Sequence, residues 1–122
     1  MSKPPSIAYL ACPYASEHKE VKRLRLALVT DTTGRLMNKG QVIFSPLTHN
    51  APIAKEVALP TNWNFWSRID LAFLSHCSRL LVLTIKGWEE SIGVQAEIKA
   101  AKAQGIPVYY IDYRTLTTRK VP

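Results

Sequence analysis

The 122-residue chain lacks the features that mark several common protein classes. It has no apolar run of about eighteen residues, which a membrane helix needs, and its first residues lack the apolar core of a signal peptide. Two cysteines cannot form a zinc cage alone, and the three histidines are scattered along the chain. We therefore expect a cytoplasmic protein with reduced thiols, no metal ion and no membrane association.

Glycine is also scarce, and the five glycines do not form a phosphate-binding loop. No GxGxxG follows the first apolar segment, and GxxxxGK[ST] is absent from the chain. These absences argue against an ordinary dinucleotide site and against a P-loop NTPase, because both need a glycine-rich turn that lets the backbone approach phosphates. No organic cofactor is predicted.

Acidic residues are few, nine against sixteen Lys and Arg, which gives a net charge of +7. The excess lies at the two ends: residues 1–40 hold seven basic and three acidic side chains, and residues 113–122 hold three basic and none acidic. A reader of duplex DNA more often carries a continuous basic stripe. The charge therefore favours an anionic small ligand or a subunit contact, and duplex nucleic acid is disfavoured.

Short apolar segments alternate with amphipathic ones, which predicts one α/β domain with a core at residues 7–112 and a basic tail at 113–122. Buried strands are predicted at 7–11, 41–44, 79–84 and 107–112. Strands that are separated by helices form right-handed crossovers and a mostly parallel sheet. The expected fold is a small doubly wound, Rossmann-like or flavodoxin-like three-layer domain with four to five strands.

Three helices are predicted from capping residues and apolar spacing. The first begins after Ser16 and ends near residue 38, and the third covers residues 92–104. The second is capped by Thr61 or Asn62, and its apolar positions are Trp66, Ile69, Phe73 and Cys77. Residues 47–60 are predicted to be irregular, with one helical turn around residues 53–57.

In this kind of fold the ligand binds beyond the carboxyl ends of the strands, where the strand order reverses. The residues that follow the predicted strands are polar and aromatic. They are Cys12, Pro13 and Tyr14 after the first strand, Ser45 and His49 after the second, and Trp88 and Ser91 after the third. Alternative structural roles are packing for Cys12 and Trp88, a surface position for His49, and a helix N-cap for Ser91.

Glu97 has no basic residue three or four positions away on its helix, so no ion pair along the helix is expected. Its side chain leans toward Gly93, where the missing side chain leaves room for a ligand. The alternative is a solvated glutamate beside a tight helix–sheet contact at Gly93.

Asp70 lies between Trp66 and Phe73 on its helix, so desolvation should raise its pKa and suit it to general acid catalysis. The alternative is an aspartate at the edge of the apolar face that bonds to a nearby loop. Two carboxylates in one cleft, here an exposed Glu97 and a desolvated Asp70, can perform glycosyl transfer, in which one attacks the anomeric carbon and the other protonates the leaving group.

Three motifs in order, Tyr9-Leu-Ala-Cys-Pro-Tyr14, Asp70 and Gly93-Val-Gln-Ala-Glu97, resemble the nucleoside 2-deoxyribosyltransferase superfamily and in particular a small bacterial branch of it. The resemblance implies that Glu97 is the nucleophile, that Tyr9 orients it and that Asp70 handles the base. It also implies that Ser91 helps to hold a 5′-phosphate, and that a neighbouring subunit completes the site in a homo-oligomer.

The chain departs from the pattern of this superfamily at Cys12, Ile69 and Ser91, where members often have glycine, asparagine and aspartate. The resemblance implies cleavage or transfer at the N-glycosidic bond of a nucleoside or nucleoside 5′-monophosphate. The departures slightly favour hydrolysis over transfer. The alternative is a non-catalytic nucleotide-binding module on the same fold.

Overall fold

The structure is a computed structural model, and it describes residues 5–122. The strands are β1 (Ala8–Ala11), β2 (Ile43–Phe44), β3 (Arg79–Leu83), β4 (Val108–Ile111) and β5 (Thr118–Lys120). The helices are α1 (Lys19–Asn38), α2 (Pro46–Glu56), α3 (Trp63–Leu74) and α4 (Ile92–Ala103). Across the described residues, no helix is long and apolar enough to cross a membrane.

The strands form one sheet in the order β2-β1-β3-β4-β5, in which β1 to β4 are parallel and β5 runs antiparallel to β4. The strand order reverses between β1 and β3, because the chain moves outward to β2 first and then returns past β1. This arrangement confirms the predicted α/β fold with a mostly parallel sheet. It also places the predicted ligand site at the carboxyl ends of β1 and β3.

Side chains alternate between the two faces of the sheet and build a separate core on each face. Leu10 of β1 packs with Val29 and Leu36 of α1 on one face. Tyr9 points to the other face, where it packs with Leu74 of α3 and with the apolar side of α4. The alternation within β1 therefore aims the Tyr9 hydroxyl between α3 and α4.

The prediction for residues 47–60 was wrong, because α2 is an eleven-residue helix that covers most of this segment. Ser45 caps it by accepting a hydrogen bond from the Thr48 amide (3.4 Å), and Pro46 occupies its first turn, where the missing N–H costs nothing. Pro52 lies inside the helix and removes one backbone hydrogen bond. Because proline is unfavourable inside a helix, Pro52 made a helix over this segment difficult to predict from the sequence.

Several boundaries also differ from the prediction. Helix α1 begins at Lys19, so Ser16 is not its N-cap as predicted. The Ser16 hydroxyl accepts a hydrogen bond from the His18 amide (3.1 Å), which precedes the helix. Strand β2 is two residues long, and the basic tail contains β5. Asn62 caps α3 as predicted, by accepting from the Phe65 amide (3.0 Å).

The buried face of α3 is not the predicted apolar stripe. Its fully buried residues are Asp70 and Leu74, whereas Phe73 is 41% exposed and the helix ends before Cys77. The helix therefore turns a carboxylate toward the interior of the domain.

Candidate active site

A cleft of about 1460 Å³ opens beyond the carboxyl ends of β1 and β3. The segments after these two strands contribute Cys12 and Lys86, and all four helices contribute to its walls. The cleft therefore lies where the order of the strands reverses, as the sequence predicts for a doubly wound sheet.

Glu97 lines the cleft and is held by Tyr9, which is not itself in the lining formed by residues 5–122. The Tyr9 hydroxyl, on β1, donates a hydrogen bond to the Oε2 atom of Glu97, on α4. Tyr9 is fully buried and Glu97 is 4% exposed, so the expectation of an exposed glutamate was wrong. Burial raises the pKa of Tyr9, so this hydroxyl remains a neutral donor.

The pKa of Glu97 is raised from 4.5 to about 8. Burial is the main cause, the Tyr9 hydrogen bond acts in the opposite direction, and the nearby charge of Asp70 adds to the rise. A glutamate of this kind changes its charge within the neutral range, which is a property of acid–base and nucleophilic groups in active sites.

Asp70 is the second buried carboxylate of the cleft, with 7% of its surface exposed. Its pKa is raised because burial outweighs a hydrogen bond from Asn50 and the favourable field of His49. The direction agrees with the sequence prediction of a desolvated aspartate. Glu97 and Asp70 thus differ in their hydrogen-bond partners, a tyrosine for one and an amide for the other.

Asn50 is a cleft residue that the sequence analysis missed. Its Nδ2 atom donates to Oδ1 of Asp70 (2.7 Å), and its own Oδ1 lies 2.8 Å from Nδ1 of His49. The signal that could have found it is the pair Ser45-Pro46, which is typical of a helix start. Asn50 lies four residues after Pro46, one turn into that helix. Treating residues 47–60 as irregular removed the helix that places this amide opposite Asp70.

Four of the predicted ligand-binding residues line the cleft: Cys12, Tyr14, Ser91 and Gly93. The Ser91 hydroxyl accepts from the Val94 amide (3.2 Å) and so caps α4. The Cys12 thiol donates to the carbonyl of Pro13 (3.2 Å), and burial raises its pKa to about 12. Cys12 is therefore a packed thiol and not a reactive one.

The space beside Gly93 is taken by the indole of Trp63, contrary to the expected open patch. A Cβ atom at this position would lie 3.3 Å from the Trp63 ring, so glycine permits the close approach of α3 and α4. The predicted tight contact at Gly93 is therefore present, but its partner is a helix and not the sheet.

Pro13, Ser45, His49 and Trp88 are not in the cleft lining formed by residues 5–122. Ser45 is occupied in capping α2, and Trp88 packs against Tyr110 with the ring centroids 5.0 Å apart. Trp63 and Trp66 line the cleft instead. Besides Tyr14, the aromatic surface available to a ligand therefore comes from α3, which the strand-end argument could not predict.

Basic side chains surround the cleft, and they are Lys19, Lys22, Arg25, Lys55 and Lys86. Three of them belong to α1, so folding brings the positive excess of residues 1–40 to the site. The Arg25 guanidinium donates to the carbonyls of Ala15 (2.8 Å) and Lys86 (3.3 Å), which ties together the segments that follow β1 and β3. The positive tail, in contrast, lies on the outer edge of the sheet as β5.

Metal ligands are not clustered in this site. Within the described range, no three His, Cys, Asp or Glu side chains are close enough together to hold an ion. The chemical groups that the cleft lining offers include two buried carboxylates, a tyrosine hydroxyl, the Asn50 amide and several cations.

Residues 6–113 match the model of a family described as a domain of unknown function, DUF1937. The chain belongs to the DUF1937 family. Comparison with curated proteins gives no match.

Among solved structures, this DUF1937 protein is similar to a 2-deoxyribosyltransferase from the psychrotolerant bacterium Bacillus psychrosaccharolyticus, a biocatalyst for nucleoside synthesis. The TM-score is 0.59 at 21% identity, over 88% of this chain and 72% of the other. The resemblance to the nucleoside 2-deoxyribosyltransferase superfamily is thus confirmed at the level of the fold.

Proposed function

We propose that this DUF1937 protein cleaves the N-glycosidic bond of a nucleoside or nucleoside 5′-monophosphate, with the 2-deoxy sugar as the preferred type. The observation that carries the proposal is the buried Glu97, which Tyr9 holds by a hydrogen bond, in a cleft that Asp70 also lines. The fold that the chain shares with a 2-deoxyribosyltransferase supports the same reaction class.

In the proposed reaction, Glu97 attacks C1′ of the sugar while the bond from C1′ to the base nitrogen breaks. Asp70 supplies the proton that the departing base takes up, and a glycosyl ester remains on Glu97. Asp70, now ionised, then removes a proton from water, and the resulting oxygen nucleophile attacks C1′ and frees Glu97. A second base in place of water gives transfer, and hydrolysis is slightly favoured.

The protonation states follow from the coupling of the two carboxylates. Burial raises both pKa values, and the charge of Asp70 raises that of Glu97 further. The proposed reaction starts with Glu97 ionised and with the proton on Asp70. The Tyr9 hydroxyl donates to Glu97 and stabilises its charged form. Tyr9 therefore favours the state in which Glu97 is the nucleophile and Asp70 the acid.

The cations at the cleft are suited to a phosphorylated substrate. Lys19, Lys55 and Lys86 line the cleft, and the Ser91 hydroxyl at the N-terminus of α4 can donate its proton to a phosphate oxygen. The predicted homo-oligomer belongs to this proposal as well. Leu24 (58% exposed) and Ile92 (75% exposed) line the cleft and offer apolar surface to a second subunit.

The second candidate is a nucleotide-binding module without catalysis. The raised pKa of Glu97 favours it, because a glutamate that remains protonated near pH 7 binds a ligand by hydrogen bonding and does not attack it. The two candidates differ in turnover, which is directly measurable.

The experiment incubates the protein with deoxynucleosides, deoxynucleoside monophosphates and ribonucleotides, with and without an added free base. Chromatography then separates free base from exchanged nucleoside. Glu97→Ala should abolish product, whereas Glu90→Ala, which alters an exposed glutamate at the same cleft, should retain it. Tight binding without turnover in the unmodified protein would refute the enzyme and support the binding module.

A further inference from the structure

We propose that Asn50 is a positioning residue that holds one oxygen of Asp70 and leaves the other to face the substrate, and that His49 fixes the orientation of Asn50. The inference rests on the proposed function for the role of the free oxygen. The positioning itself depends only on the contacts among these three side chains.

The contacts form a short chain from the protein surface to the cleft. Nδ1 of His49 lies 2.8 Å from Oδ1 of Asn50, and Nδ2 of Asn50 lies 2.7 Å from Oδ1 of Asp70. Asn50 and Asp70 are each 7% exposed, so water competes little for these bonds. Both residues line the cleft, whereas His49 lies outside it.

The chemistry of the three groups selects one orientation of the amide. Oδ1 of Asp70 accepts a hydrogen bond whether Asp70 is ionised or carries its proton on Oδ2, so the Asn50 NH₂ group must face it. The Asn50 oxygen then faces His49, whose Nδ1 must carry a proton in order to donate to it. Rotating the amide would place its oxygen against the carboxylate and would break both bonds.

His49 is itself held in place by aromatic rings. Its ring centroid lies 5.6 Å from that of Phe44 and 5.6 Å from that of Phe73, and these two phenylalanines stack at 4.3 Å. This packing holds the imidazole, which belongs to α2, against β2 and α3, with its Nδ1 atom directed at Asn50. The partly exposed Phe73 thereby gains a role in the network that ends at Asp70.

The network distinguishes the two oxygens of Asp70. Oδ1 is engaged by Asn50, and the described part of the chain makes no other hydrogen bond to this carboxylate. Asp70 lines the cleft, so its second oxygen is the one available to a ligand. The proton that Asp70 gives to a leaving base therefore resides on Oδ2, at a fixed place in the cleft.

The positioning can be tested without a substrate, by ¹³C NMR of aspartate carboxyl groups during a pH titration. The chain has three aspartates, Asp31, Asp70 and Asp112, so the spectrum contains few signals. Asn50→Leu should raise the pKa of Asp70, because it removes the hydrogen bond that favours the charged form. Asn64→Leu, the same change at an exposed position of α3, should leave it unchanged. An Asp70 pKa that is the same in Asn50→Leu and in the unmodified protein would overturn the proposal.

His49→Phe keeps the aromatic packing but removes the Nδ1 donor, and it serves if Asn50→Leu does not fold. It should raise the pKa of Asp70 less than Asn50→Leu does. The charge of Asp70 in turn raises the pKa values of Glu97 and Tyr9, and both of these groups remain in these variants. An unchanged pKa in His49→Phe would refute the role of His49.

Turnover separates this inference from the proposed function. If the protein is a glycosidase, Asn50→Leu should slow the release of an ordinary base roughly 10- to 100-fold, because a displaced acid protonates poorly. It should slow a substrate with an activated leaving group much less, because that group needs no proton. Equal losses on both substrates would refute positioning of the acid. No turnover in any variant, together with a raised Asp70 pKa, would refute the glycosidase and leave the positioning intact.

Discussion

Replacing Glu97 with glutamine should stabilise the protein at alkaline pH and change its stability little in acid. The pKa of Glu97 is about 8 in the folded chain against an ordinary value of 4.5. The folded state therefore retains a proton that the unfolded state loses as the pH rises through the interval between these two values. The free energy of unfolding contributed by Glu97 is largest below 4.5, falls through this interval and is lost above 8. Glutamine does not ionise and avoids this loss.

The size of the effect follows from the width of the interval. Each pKa unit corresponds to about 1.4 kcal/mol, so Glu97→Gln should gain at most roughly 5 kcal/mol over the unmodified protein above pH 8. Solvent screening reduces this free-energy gain only slightly, because Glu97 is 4% exposed. The glutamine oxygen also still accepts the Tyr9 hydrogen bond, so packing and bonding are preserved.

Urea denaturation followed by tryptophan fluorescence at pH 5 and pH 8.5 measures the difference directly. Glu90→Gln, at an exposed glutamate near the same cleft, provides the matched control and should show no pH-dependent gain. A Glu97→Gln variant that is less stable by the same amount at both pH values would refute the raised pKa. It would instead indicate that the charged carboxylate stabilises the fold.

Three further changes test other parts of the site. Tyr9→Phe should raise the pKa of Glu97 above about 8 and lower activity at pH 7 roughly tenfold, because a lost hydrogen bond to a charged group costs about 1.5–3 kcal/mol. A pH–rate profile whose pKa does not shift to higher pH would contradict this. Cys12, with a pKa of about 12, should react with iodoacetamide at pH 8 far more slowly than free cysteine does, and mass spectrometry of the labelled peptide decides this. Gly87→Ala should lower the midpoint of thermal unfolding by an amount equivalent to about 1–3 kcal/mol, because Gly87 has a φ of 99°, which strains an L side chain. Its Cβ would also displace the Arg25 guanidinium, and an unchanged midpoint would contradict the strained backbone.

The parallel sheet and the location of the cleft could be predicted from the sequence because both depend on local patterns. Short apolar runs identify buried strands, and the alternation of strands and helices then restricts the topology to a few choices. Asp70 and Glu97 were identifiable because each is an acidic residue among apolar or small neighbours on a helix.

The details of the cleft wall depend on contacts between distant segments, which the sequence pattern does not reveal. Asn50 was missed because Pro52, two residues further on, led to the prediction of an irregular segment where α2 lies. Glu97 was expected to be solvated because its burial depends on Tyr9, eighty-eight residues away. Trp63 fills the space over Gly93 only because α3 packs on α4. The cytoplasmic location and the homo-oligomer remain predictions.

The central claim, that Glu97 is a nucleophile, is tested most directly by intact-protein and peptide mass spectrometry after rapid acid quenching of the reaction with a deoxynucleotide. The account predicts a mass increase of one 5-phospho-2-deoxyribosyl group on the peptide that contains Glu97, and no increase in Glu97→Gln. Release of free base without any adduct, at a rate that Glu97→Gln retains, would contradict it.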